Sequence, residues 1–216
     1  MATNDVLRDQ IAYYRQRAAE YDATSYGDVA AAAERVERIV GELEVAGSVL
    51  ELACGTGVWT VSLTRHASAV TAVDSSPEAL AIAVERCPGA RFQRADVFSW
   101  EPGHQYDLVF FGFWLSHVPT ERVPEFFGRL ATWLRPGGRV AFVDEPAWRA
   151  VGDRAVAPGS ETVRRELRDG SEHLLVKVPL DPARITAQLV RIGWVAEVHP
   201  DGPADADWIV GQARPR

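Results

Sequence analysis

Between Ser48 and Val143 short apolar runs alternate with stretches of helical periodicity, and this alternation restricts the fold more than any other feature of the chain. Ser48 to Leu52, Ala69 to Val73, Arg91 to Ala95, Tyr106 to Phe111 and Arg139 to Val143 read as strands. A helix follows Gly57. A second spans Pro77 to Arg86, begun by Ser75 or Ser76 as N-cap with proline in its first turn. A third runs from Pro124 to Leu134 and is stopped by Pro136-Gly137-Gly138. Strands and helices alternating at this spacing predict an α/β fold, a parallel sheet covered by helices. Right-handed crossovers put the strand ends on one edge, and ligands bind there beside the point where strand order reverses.

The flanks differ. Asp5 to Tyr21 carries Ile11, Tyr14, Ala18 and Tyr21 at helical spacing. Asp28 to Leu43 predicts a helix with Val29, Ala32, Ala33, Val36, Ile39, Val40 and Leu43 on one face, ended by Gly47. Later, Thr162 to Arg168 and Glu172 to Val178 flank Asp169-Gly170, a two-residue hairpin signal. A helix from Asp181-Pro182 to Ile192 precedes two strands, Trp194 to His199 and Trp208 to Gln212, expected to close the sheet edge as an antiparallel pair. Ala147 to Gly159 reads as a loop able to lie over the ligand edge. The expected organisation is one domain over 1–216: a helical cap (1–47), a core (48–144), an insertion with the hairpin (145–180) and a closing helix and strands (181–216).

Composition narrows the partners. Net charge is −7, and every basic residue except Lys177 is arginine, with no basic block. That argues against nucleic acid, which needs a basic stripe. Cys54 and Cys87 sit in no C-x-x-C pair and at no zinc spacing, so a reducing compartment is expected. The N-terminus lacks the apolar run of a signal peptide, and Leu108 to Leu115 falls far short of the roughly 20 residues of a membrane span. A cytoplasmic protein with no membrane partner is expected.

The sharpest motif is Leu50-Glu51-Leu52-Ala53-Cys54-Gly55-Thr56-Gly57, placed where the first strand turns into a helix. Gly55 and Gly57 allow a sharp bend and close approach to a ligand. One reading is a dinucleotide fingerprint, with Asp74 as the acid about 20 residues on. Against it, Thr60 stands where that motif has Gly or Ala, and Glu51 precedes a loop that would have to receive a pyrophosphate. An acid there suits a cationic or zwitterionic ligand better.

Glu51 to Gly57 resembles motif I of the class I S-adenosylmethionine-dependent methyltransferases. Val73-Asp74-Ser75-Ser76, Ala95-Asp96-Val97, Tyr106-Asp107-Leu108-Val109 followed by Leu115-Ser116-His117-Val118-Pro119, and Leu134-Arg135-Pro136-Gly137-Gly138 resemble the family's later motifs in order. The resemblance covers roughly 4–143. It implies a Rossmann-like, doubly wound, seven-stranded and mostly parallel sheet with an antiparallel edge pair, an N-terminal helical segment and an inserted hairpin. It implies S-adenosylmethionine as cofactor and S-adenosylhomocysteine as product. Glu51, Ala53, Gly55 and Gly57 would line the sulfonium and its amino-acid tail, Asp74 would take the ribose hydroxyls, and Asp96 and Val97 the adenine, beside Ser75 and Ser76. Tyr14, Arg17 and Tyr21 match the segment that folds over the methionine end in this family, and Phe111 and Gly112 follow on the fourth strand. Alternatively, Asp96 caps a turn, the tyrosines pack a helix on the core, and Cys54 is a buried filler.

Methyl transfer needs an acceptor aligned behind the methyl and, for a hydroxyl, a base. His117 is the base candidate; the alternative is that it orients its loop. Phe113, Trp114, Glu145 and Trp148 are candidates for the acceptor pocket. Asp144 and Glu145 with His117 either hold a divalent metal such as magnesium or act as capping acids. The chain has neither an N/D-P-P-Y/F/W motif nor the second cysteine that pyrimidine carbon methylation uses, which favours a small hydroxylated acceptor, such as a sugar or secondary metabolite, methylated on oxygen. The rivals are N- or C-methylation, a nicotinamide-dependent oxidoreductase, and a non-catalytic cofactor-binding module; Trp114, Trp148 and the hairpin are alternatively a homodimer interface.

Overall fold

A computed structural model describes residues 3–149 and 154–216. In chain order the elements are α1 (Thr3–Arg17), α2 (Tyr21–Ser25), α3 (Val29–Glu42), β1 (Ser48–Leu52), α4 (Val58–His66), β2 (Ala69–Asp74), α5 (Pro77–Arg86), β3 (Arg91–Arg94), β4 (Tyr106–Gly112), α6 (Val123–Trp133), β5 (Leu134–Asp144), β6 (Arg154–Ala155), β7 (Thr162–Glu166), β8 (Glu172–Val176), α7 (Pro182–Arg191), β9 (Trp194–Pro200) and β10 (Ile209–Pro215). Seven strands form one sheet in the order β3-β2-β1-β4-β5-β10-β9, and β6, β7 and β8 form a second. β1 pairs in parallel with β2 and with β4, so the strand order reverses between β1 and β4, at the end of the glycine motif. β10 runs antiparallel to both β5 and β9, the expected edge pair. Among the described residues no helix is long and apolar enough to cross a membrane.

Two compact units share the chain. The larger continuous piece, Tyr14–Phe111, joins Trp133–Gly138 in one unit; the described residues of Met1–Tyr13, Gly112–Thr132 and Arg139–Arg216 form the other. In the first unit β1, β2 and β4 are almost wholly buried, as continuous apolar runs in a covered parallel sheet should be. α5 starts as its sequence dictates, with the Ser76 hydroxyl oxygen accepting from the Ala79 N–H at 3.0 Å and Pro77 in the first turn. α3 is capped by Asp28, which accepts from the Ala30 and Ala31 N–H groups.

Several boundaries depart from expectation. α3 ends at Glu42, one residue short of the expected Leu43, and Glu44, with φ 48°, takes a left-handed turn three residues before Gly47. Val29 and Ala33, in its first turns, stay exposed, while Ala32, Val36, Ile39 and Val40 are buried. β5 begins at Leu134, so Pro136-Gly137-Gly138 lies inside a strand. Gly138 makes this work, since a Cβ there would stand only 3.1 Å from the Tyr106 and Asp107 carbonyl oxygens.

In the second unit the buried face of α1 is Val6, Leu7, Gln10 and Tyr13, not the face containing Ile11 and Tyr14. β8 is the reason. Its edge N–H groups at Leu174 and Val176 donate to the side chains of Asp9 (2.7 Å) and Gln10 (3.0 Å), so the helix caps a strand edge that would otherwise stand unpaired. The hairpin closes through three residues rather than two. Leu167 N–H donates to Ser171 O and Gly170 N–H to Leu167 O, with Gly170 at φ 82°, a turn closed by a left-handed glycine. Of the loop expected over 147–159, residues 150–153 lie outside the described residues.

Candidate active site

The cofactor-side candidates lie in the first unit. β1 delivers Glu51 to a loop in which Ala53 (φ 50°), Gly55 (φ 54°) and Gly57 (φ 82°) all adopt left-handed conformations. A Cβ at Gly57 would sit 3.0 Å from that of Ala83, so glycine also lets α4 pack closely on α5. Asp74, at the end of β2, braces this loop: one carboxylate oxygen accepts from the Gly55 N–H at 2.9 Å, the other from the Ser76 N–H at 2.8 Å. The Ser75 N–H also bears on this carboxylate, which keeps acceptor capacity beyond these backbone donors. Burial raises the Asp74 pKa, against the backbone N–H groups that lower it.

Glu51 is 1% exposed and accepts from the Thr60 hydroxyl at 2.6 Å. Burial pushes its pKa up to about 8; the Thr60 bond opposes this and the Asp74 charge adds to it. Thr60, the residue that departs from a dinucleotide motif, is therefore the partner of the acid that departs from it too. Cys54 is a free, buried thiol whose pKa burial raises well above its ordinary value, so it fills space.

Tyr14, Tyr21 and Tyr26 form a run of edge-to-face rings 6.0 and 6.2 Å apart, and the Arg17 guanidinium stands 5.1 Å from the Tyr21 ring centre. This segment is tied to the glycine loop by three residues that sequence reasoning missed. Thr56 donates to Asp22 at 2.6 Å, and Arg86 donates to Asp22 at 2.5 Å and to the Thr56 carbonyl at 2.9 Å. Asp96 is exposed and accepts from the Phe98 N–H at 2.9 Å, so it does cap its turn. Ser75 is half-buried, Val97 is buried, and the Ser76 hydroxyl is engaged as the α5 cap. Phe111 is fully buried at the end of β4.

The acceptor-side candidates lie in the second unit. After Gly112, Phe113 adopts φ 56°, unusual for an aromatic residue. Its N–H donates to Val143 O at 2.7 Å, and its ring meets that of Trp208 edge-on at 5.2 Å. Trp114 stands 6.4 Å from the His117 ring, and the half-exposed Trp148 donates its indole N–H to Ala206 O. Asp144 is fully buried and accepts from the Ser116 N–H (2.9 Å) and the Glu145 N–H (2.8 Å). Burial raises its pKa and Lys177 opposes that. Glu145 accepts from the Lys177 ammonium at 2.8 Å, and His117 Nδ1 donates to the Val176 carbonyl at 2.7 Å.

These contacts favour the capping reading of the two acids over the metal one. Asp144, Glu145 and His117 do not converge as a metal trio, and among the described residues no three His, Cys, Asp or Glu side chains do. The acids take N–H donors and an ammonium instead. Lys177 was the signal available: a lone lysine inside the apolar strand run Leu174-Leu175-Val176-Lys177-Val178 calls for a buried carboxylate.

A family model described as a methyltransferase domain matches residues 49–138. The chain superposes on DhpI in complex with SAH with a TM-score of 0.85 and 35% identity, covering 99% of this chain and 98% of that one. The DhpI–SAM–HEP complex matches over the whole of both chains, again at 35% identity and TM-score 0.85. With this agreement in motif order, fold and full-length identity, the chain belongs to the class I S-adenosylmethionine-dependent methyltransferases. The trans-aconitate 2-methyltransferase of Escherichia coli O157:H7 (strain EC4115 / EHEC) is 33% identical over 108 residues, 49% of this chain. That match spans 42% of the relative's length.

Proposed function

We propose that this protein transfers a methyl group from S-adenosylmethionine to an oxygen of a small hydroxylated molecule. The observation that carries the reading is the pair of carboxylates at the Gly55 loop, the buried Glu51 and the half-buried Asp74. A pyrophosphate offers neither acid a donor, whereas a sulfonium ligand brings an ammonium tail and a pair of ribose hydroxyls that the two acids can accept from. The DhpI complexes with SAH and SAM support this. S-adenosylmethionine supplies a methyl group already activated by its positive sulfur. The chain's residues then bind and orient: Asp74 takes the ribose hydroxyls, Glu51 balances the cationic end, and the tyrosine run with Arg17 covers it. His117 Nε2 takes the proton of the acceptor hydroxyl as its oxygen attacks.

A carboxylic acid acceptor is the second reading, favoured by the relatives named trans-aconitate 2-methyltransferase. A carboxylate needs no base, so the two readings separate at His117. Calorimetric titration with S-adenosylhomocysteine, with NAD(H) and NADP(H) alongside, tests the cofactor. Binding of the first alone is expected, and binding of a nicotinamide nucleotide instead would overturn the proposal. A labelled-methyl screen of sugars, phenols and small carboxylic acids then identifies the acceptor. His117→Gln should abolish most turnover with a hydroxyl acceptor and spare it with a carboxylate.

A further inference from the structure

We propose that the Val176–Val178 segment leaving β8 holds His117 as its Nδ1–H tautomer, with Lys177 as the positioning residue that secures the segment. The inference deepens the reading of His117 as a base and rests on it for its functional meaning, though the tautomer can be measured without it.

The argument starts from a carbonyl oxygen, which only accepts. His117 Nδ1 lies 2.7 Å from Val176 O, so in the neutral ring the proton sits on Nδ1 and the basic lone pair on Nε2. His117 is 4% exposed and belongs to a single 3-10 turn, Leu115–His117, too short to hold a ring by itself. The residue before it supplies the rigidity. Ser116 is held at every polar atom: its N–H donates to Asp144 (2.9 Å), its carbonyl accepts from the Val178 N–H (2.8 Å), and its hydroxyl accepts from Lys177 Nζ (3.2 Å). Three successive residues, Val176, Lys177 and Val178, thus grip two, Ser116 and His117.

Lys177 is the centre of this grip. It is 9% exposed, and its ammonium spans from the Ser116 hydroxyl to Glu145, at 2.8 Å. A compact three-donor ammonium fits between those two oxygens, where the broad planar fork of arginine would not. This accounts for the one lysine in a chain whose other basic residues are all arginine. The inserted β7–β8 hairpin therefore serves the chemistry by setting which nitrogen of His117 is basic.

The test is nitrogen-15 NMR of the full chain, carrying ring-labelled histidine and no cofactor, with the His117 signals assigned by their loss in His117→Gln. At a pH where the ring is neutral, wild type should show a protonated Nδ1 and a bare Nε2, the reverse of the form that prevails in flexible peptides. Lys177→Gln should convert this to a mixture containing the Nε2–H form. If that variant does not fold, Glu145→Gln, at a half-exposed position, should shift the mixture in the same direction. An Nε2–H ring in wild type would overturn the tautomer assignment. A pure Nδ1–H ring in Lys177→Gln, or in Glu145→Gln where that carries the test, would overturn the role of Lys177. Loss of the base reading shows separately, as full turnover of His117→Gln on a hydroxyl acceptor while the wild-type tautomer stays as stated.

Discussion

Glu51 shows what one buried acid does to a whole protein. Its pKa rises from 4.5 to about 8, so the folded state holds that proton more tightly than the unfolded chain does. The associated stability is fully present below about pH 4.5 and is lost as pH rises through 8, a change on the order of a few kcal/mol. The thermal midpoint of the ligand-free protein should therefore fall between pH 5 and pH 9, and Glu51→Gln should flatten that fall; an unchanged slope in the variant would place the titration elsewhere. Ala53 and Phe113 carry a different cost, left-handed backbone at roughly 1–2 kcal/mol for a residue with a Cβ. Nothing in an alanine or a phenylalanine announces a positive φ, so both strained positions were invisible in the sequence. Each stands at the end of a strand beside candidate site residues, where strain tends to be kept.

At the scale of elements, the informative contact joins α2, the glycine loop and α5. Asp22 and Arg86 lie 64 positions apart and meet over Thr56 at partly exposed side chains. A partly exposed charge-assisted pair of this kind contributes on the order of 1 kcal/mol. Arg86→Gln should loosen the tyrosine segment and weaken S-adenosylhomocysteine binding by roughly tenfold, about 1.4 kcal/mol, in a calorimetric titration. Wild-type affinity would show that the segment closes without this pair. The hairpin lies at the opposite pole: Asp169-Gly170 announced a turn from composition alone, and the structure changed only its length, by adding Arg168 to the loop.

For the whole molecule, the decisive event is the return of the C-terminal strand. β10 enters between β5 and β9, setting Gly211 opposite Phe142. A Cβ on Gly211 would come 2.1 Å from the fully buried Phe142 ring, which has no room to move. Gly211→Ala should destabilise the protein by roughly 1–3 kcal/mol in urea unfolding, the usual cost of overfilling a core. A neutral result would mean that β10 can shift in register. The pairing joins residues some 70 apart in sequence, so the closure of the sheet depends on contacts that no local pattern specifies.

The sequence by itself determined the alternating strands and helices, the glycine loop, the carboxylates Glu51 and Asp74, and the family. These are local or periodic: burial of a strand demands an apolar run, a tight turn demands glycine, and a helix start demands a cap, each within a few residues. The strand start at Leu134 and the buried face of α1 were misjudged because distant partners, not neighbours, decide them. The tertiary structure alone decided that Thr60 serves Glu51, that Asp22 and Arg86 hold the loop, and that Asp144 and Glu145 take backbone and lysine partners rather than converge with His117. A carboxylate reads the same in sequence whether it meets a metal, an ammonium or a peptide N–H. Only the fold supplies the partner, because desolvation makes any buried charge find one and the geometry selects which.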